Sequence, residues 1–147
     1  MTAAPNSFSN PVVQPQSINA FCELVFGYLE GFVPVRLLAE AGTPNQNPRL
    51  EFPEATRIAD RLINVATRAA AQQRGVFVVP GTAASPGSAK AKDIVQTGVV
   101  LVDLDHGDIS AKINHLVLYL GPPSLEVASG GTTHEGHDKM HLYWRLT

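Results

Sequence analysis

Asp103 and Asp105 stand two positions apart in the apolar run at residues 98–108, GVVLVDLDHGD. In a strand, residues i and i+2 project from one face, so the two carboxylates stand side by side while Val102 and Leu104 point the other way. Carboxylates within an apolar strand are costly unless a cation, a hydrogen-bond cage or an edge position compensates them, and a divalent metal is the compensation that also performs chemistry. A second such pattern lies in MHLYWRL, where Met140, Leu142, Trp144 and Leu146 alternate onto one face. His141, Tyr143 and Arg145 share the opposite face, and imidazolium and guanidinium groups donate charge-assisted hydrogen bonds to phosphate oxygens. Taken alone, that strand also reads as an ordinary amphipathic strand with its polar face in water. If the two strands are neighbours with those faces aligned, metal-binding carboxylates confront a phosphate-binding histidine. This is the minimal layout for nucleotidyl transfer, in which two metals about 4 Å apart activate a hydroxyl and neutralise a triphosphate.

Other residues compete for attention. The small-residue loop at 80–93, PGTAASPGSAKAKD, reads as a mobile connection, or as one that brings Lys90 and Lys92 toward an anionic substrate at the carboxylates. His134, His137 and His141, with Glu135 and Asp138 among them, are dense enough to bind zinc, although they match no helical H-E-x-x-H arrangement. His106 and Asp108 either add to the carboxylate site or cap the turn and the helix after it, with Asp108 standing where an N-cap belongs. Arg36, beside Pro34, could reach a phosphate, but an exposed strand arginine usually has no specific role.

The elements that position these residues follow from periodicity. Ile18, Phe21, Cys22, Val25, Tyr28 and Leu29 recur at helical spacing after Ser17 as N-cap, with Gly31 as the stop. Residues 32–38 read as a strand in which Pro34 marks an edge or the strand's beginning, and residues 41–47 are turn chemistry. Pro53 opens a long helix with the stripe Ile58, Leu62, Val65, Ala66 and Ala69, closed by Gly75. A short strand at 76–79, the small-residue loop and the aspartate strand come next. A helix at 109–120 follows with Ile113, Leu116, Val117 and Leu120 inward, ended by Pro122 and Pro123. The strand SLEVAS, the polar loop GGTTHEGHDK and the last strand complete the order.

The chain's 147 residues, 44% hydrophobic and 16% charged, suit one domain with a real core. The expected fold class is α+β, a mixed β-sheet with helices packed on it, spanning 17–147 behind a disordered or loosely attached segment at 1–16. A formal charge of −2 gives no global attraction to nucleic acid or anionic lipid, so a nucleic-acid role requires a local basic surface. The single Cys22 excludes an intrachain disulfide and fits a reducing compartment, and no apolar run approaches the roughly 20 residues that span a bilayer. A cytoplasmic protein with no membrane partner is expected.

An apolar strand ending in Asp-x-Asp, then a helix, a Pro-Pro-Ser strand start, Ser-Gly-Gly and a His-x-Tyr-Trp strand resembles the catalytic domain of the archaeo-eukaryotic primase superfamily. It looks closest to the RepB-like primase and primase-polymerase domains of phages, plasmids and integrated elements. The resemblance covers residues 76–147 and, more loosely, the preceding helix and residues 32–38. It implies a primase palm (RRM-like) core and metal-dependent addition of nucleotides on a single-stranded DNA template during replication. Asp103 and Asp105 would hold Mg2+ or Mn2+, His141 would contact the incoming nucleotide's phosphates, and Ser129 and Gly130 match the family's turn. Tyr143 and Arg145 are lesser nucleotide-binding candidates on the face of His141. Partners implied are a nucleoside triphosphate and single-stranded DNA, with a helicase domain or protein as a further candidate.

Two departures stand out. Residues 132–139 are interposed before His141, so His134, nearer to Ser129, is a rival; the strand after His141 fixes the more rigid position. The family's metal set is completed by an acidic residue on a later strand, whereas no acidic residue follows Asp138 here. The domain is therefore expected to be incomplete at its C-terminus and to be inactive alone as an enzyme. Two other functions remain open: a non-catalytic nucleic-acid-binding or replication-initiation module, and a metal-dependent hydrolase using the aspartates with the histidine loop.

Overall fold

Among the described residues, 12–39 and 47–147 of a computed structural model, three helices and three small antiparallel sheets form the fold. The order is α1 (Pro15–Phe26), β1 (Val35–Ala39), β2 (Arg49–Glu51), α2 (Ile58–Ala71), β3 (Arg74–Val78), β4 (Thr82–Ala83), β5 (Ile94–Gln96), β6 (Val99–Leu104), α3 (Ile109–Leu120), β7 (Leu125–Thr132) and β8 (Asp138–Arg145). Short 3-10 turns cover Ala55–Arg57 and Ala91–Asp93. The sheets run β2-β1-β3, β4-β5 and β6-β8-β7. The chain is α+β as expected, but in place of one mixed sheet every ladder is antiparallel.

Helix α1 begins at Pro15, with Gln14 as N-cap residue, rather than after Ser17. Proline is favoured at a first helical position because its missing N–H would lack a helical partner anyway. Ser17 lies inside the helix, where its hydroxyl reaches Gln14. The helix ends at Gly27, ahead of Gly31, and residues 15 and 16 therefore belong to the folded unit. Residues 1–11 of the expected loose segment at 1–16, and most of the expected turn at 41–47, lie outside the described residues.

Pro34 does stand at a strand's beginning, since β1 starts at the next residue, but β1 is the centre of its sheet rather than an edge. The long helix starts at Ile58, after the 3-10 turn, and stops at Ala71, with Gln73 at φ 53° turning the chain. Gly75 pairs with Leu38 inside β3 and is not the helix stop. The small-residue loop is partly buried, because Thr82 and Ala83 pair with β5 and lie fully enclosed. Among the described residues no helix is long and apolar enough to cross a membrane.

The larger core gathers Cys22, Val25 and Phe26 of α1, Val35 and Leu37 of β1, and Ile58, Leu62, Val65 and Ala69 of α2, with Val99 and Tyr143. Burial pushes the Cys22 thiol up to about 12, so it stays protonated and inert. The native chain should therefore resist a disulfide reagent at pH 8 and take up one equivalent only after unfolding. Rapid native labelling would show that α1 does not pack as described.

Candidate functional site

The sheet β6-β8-β7 brings the two chemistry-bearing strands together. Asp103 pairs in register with His141, and His141 in turn with Val127 of β7. Directly opposed residues share a face, so the three project from the same side. His141 Nε2 lies 3.3 Å from Asp103 Oδ1, with side-chain exposures of 32% and 59%.

Alternation explains how the strands serve two cores. On the outer face Leu104, Leu142 and Trp144 pack with Ile109, backed by Val102, Ile113, Leu116 and Met140. Trp144 Nε1 donates to Gly121 O at 3.0 Å, and Asp108 caps α3 by accepting from Ala111 N at 3.0 Å. The cap expected from sequence is present, and the expected inward position of Leu120 is not, for it is 52% exposed. On the inner face Val99, Leu101, Leu125, Val127 and Tyr143 join the larger core. That face changes character along β8, from buried Tyr143 through half-buried His141 to Lys139, and the polar residues lie where it emerges from the core.

Asp105 follows Leu104, the last paired residue of β6. Continuing the register sets it opposite Lys139 on the face of Asp103 and His141. Its carboxylate accepts from His106 Nδ1 at 2.6 Å, and Lys112 Nζ donates to His106 O at 2.6 Å. The hydrogen bond from His106 holds the Asp105 carboxyl below its ordinary value, and the charges of His106 and Lys139 add to this. A depressed carboxyl stabilises the native chain above its ordinary value and loses that contribution as pH falls through the depressed one. Replacing His106 with alanine should move the Asp105 titration upward, read by carboxyl NMR; an unchanged titration would mean that the pair does not form in solution.

Tyr143 is not an open phosphate ligand, since it is 5% exposed and stacks edge-on with Phe21 at 5.6 Å between centroids. Burial first, and the Asp103 carboxylate second, push its phenol up, so it keeps its proton. Arg145, four residues along β8 from His141, holds its guanidinium 5.2 Å from the centre of the Tyr28 ring. Ser129 and Gly130 lie within β7 rather than in a turn, at a register shift between Ala128 and Thr132, and Gly130 has φ +89°. Such a bulge needs a residue free to adopt positive φ, which glycine supplies. His134 and His137 lie on the exposed turn between β7 and β8. Among the described residues no three His, Cys, Asp or Glu side chains form a group able to hold a metal ion, so the zinc set is not assembled. Lys90 and Lys92 lie by Asp93, whose carboxylate is held low chiefly by Ser88, and Arg36 reaches the carbonyl of Ala89 at 3.4 Å. These contacts tie the loop to β1.

Two features escaped the sequence reading. Lys139 shares the site's face, and its signal was its position two residues before His141. On α2 and the turn before it, Arg57, Arg61 and Arg68 border a groove of about 540 Å3 with Phe32 and Phe52. Their spacing of four and seven residues puts them on one side of the helix, flanking the apolar stripe at Val65, which also lines the groove. Arg68 is paired with Glu51 at 3.2 Å. Comparison with protein-family models, curated proteins and solved structures finds no match for this chain.

Proposed function

We propose that this chain is a primase-type nucleotidyltransferase domain, with a palm-like core, that binds a nucleoside triphosphate with a divalent metal for addition on a single-stranded DNA template. The observation that carries the reading is the register of β6 and β8, with Asp103 directly opposite His141 and Asp105 two residues on. Oxygen donors suit Mg2+ or Mn2+, and Mg2+ is commonly bound by one or two protein carboxylates together with substrate phosphates, so an exposed pair fits without a third protein ligand. When bound, the metal neutralises the triphosphate and activates the attacking hydroxyl. Asp103 and Asp105 would hold it, while His141 and Lys139 offer donors to the phosphates. The groove offers Arg57 and Arg61 with the rings of Phe32 and Phe52 to a single strand, although Glu51, paired with Arg68, and Glu54 also line it.

A non-catalytic module of the same fold is the second reading. It is favoured by the lack of a three-residue acidic or histidine group among the described residues. Titration calorimetry of the chain with a nucleoside triphosphate, with and without Mn2+, tests the primary reading. Metal-dependent binding is expected; no binding in either condition would leave the second.

A further inference from the structure

The apolar space beside the carboxylate–histidine pair has no role in the reading above, and its position on the sheet suggests one. A cleft of about 570 Å3 lies between α1, α2, β3 and β7, and is walled by Phe21, Leu62, Ala66, Val76, Leu125 and Val127. Its volume falls within the range of small-molecule sites, about 300–1,000 Å3. Val127 is the cross-strand partner of His141, and His141 of Asp103. Adjacent strands are about 4.8 Å apart, so the cleft's β7 floor lies two spacings, on the order of 10 Å, from Asp103 along one sheet face. A ligand with a charged end at Asp103 and His141 and a flat apolar end about that far away spans both.

We infer that this cleft receives the base of the nucleotide whose triphosphate is held at Asp103, Asp105 and His141. The inference rests on the proposed nucleotide site. It adds a base-holding wall drawn from α1 and α2, outside the aspartate and histidine strands. The walls are mainly aliphatic and aromatic, with Ser17 and Glu126 as the polar lining residues, so they bury a base while offering little that reads its hydrogen-bonding edge. Without template, the chain therefore binds different nucleoside triphosphates with affinities within a few-fold of one another, purines ahead of pyrimidines by their larger buried surface.

The test compares nucleoside triphosphates with inorganic tripolyphosphate, both in Mn2+, on the parent and on two cleft-filling variants. Ala66→Phe fills the cleft from α2, and Ala20→Trp fills it from an exposed position of α1. Neither residue touches the carboxylate–histidine pair, and thermal melts establish that at least one variant is folded. The parent should bind ATP at least 10-fold more tightly than tripolyphosphate. The folded variants should lose that advantage and keep tripolyphosphate affinity unchanged. Equal affinity of the parent for ATP and tripolyphosphate overturns the inference while leaving the phosphate site standing, as does undiminished ATP binding in a folded variant. So does an apolar dye that occupies the cleft and that ATP does not displace. If the parent binds neither ligand in Mn2+, the nucleotide site itself fails and the inference falls with it.

Discussion

Replacing Asp103 with alanine should abolish Mn2+-dependent nucleotide binding and leave the fold intact. The side chain is 59% exposed, and its contact is with His141 across the strand. An exposed ion pair contributes about 0–1 kcal/mol, so the melting transition should scarcely move. Binding depends on the carboxylate in a different way, because a divalent cation held by two protein carboxylates loses half of its protein charge when one is removed. A loss of at least about 100-fold is expected, with Asp103→Asn behaving like Asp103→Ala because the amide keeps the size but not the charge. His141→Ala should behave differently, preserving Mn2+ binding while weakening the triphosphate by about 10-fold to 150-fold, as expected of a hydrogen bond to a charged group. Parent-like calorimetry for both aspartate variants, with their melts unchanged, would show that the paired strands carry no metal-dependent nucleotide site.

The distinction matters because much of this site could be read from local pattern, while its surroundings could not. Alternation alone set Asp103 with Asp105 on one strand face and His141 with Tyr143 on another, while their cross-strand register had to come from the fold; the bounds of α3 with Asp108 as its cap also follow from local signals that tertiary structure had no reason to override. Nothing local says which face of a strand meets solvent. Both faces of β8 are covered, by α3 on one side and by α1 on the other, so Tyr143 became a core residue although its same-face neighbours, His141 and Arg145, are polar. A phenol with a buried ring and a nearby carboxylate is compatible with that placement because it can stay neutral; a guanidinium is not, and Arg145 instead turns to the Tyr28 ring near the surface.

Glycines misled for a related reason. Gly31 and Gly75 were read as helix stops, yet Gly31 has φ +97° in the connection leading to β1, and Gly75 sits in β3. Glycine marks where a backbone needs room or positive φ, and a pattern of one sequence does not say which. The three residues of β2 and the two of β4 are too short to show any periodicity, and they exist only because β1 and β5 lie alongside to pair with them. Three small sheets rather than one mixed sheet follow from that kind of pairing, which depends on long-range neighbours. The groove of Arg57 and Arg61 was legible in principle, since their four-residue spacing sets them together along the flank of the long helix's apolar stripe.

The larger core makes the second strong prediction. Replacing Phe26 with alanine should cost about 3–5 kcal/mol, read as a lower urea midpoint at unchanged slope. Phe26 is 2% exposed and meets Phe21 edge-on at 6.1 Å, and Phe21 in turn meets Tyr143 of β8. The ring thus sits in a chain of aromatic contacts that links α1 to the sheet carrying the candidate site. Leu142, fully buried in the smaller cluster beneath α3, supplies the comparison, because Leu142→Ala should cost about 2–5 kcal/mol through a different set of neighbours. Natural domains are stable by only about 5–15 kcal/mol, so either loss is a large share, and the two together should leave little folded protein. A cost below about 1 kcal/mol for Phe26→Ala would mean that α1 is not seated on the sheet. The base-holding cleft, which takes one wall from α1, would then lose its support independently of any binding measurement.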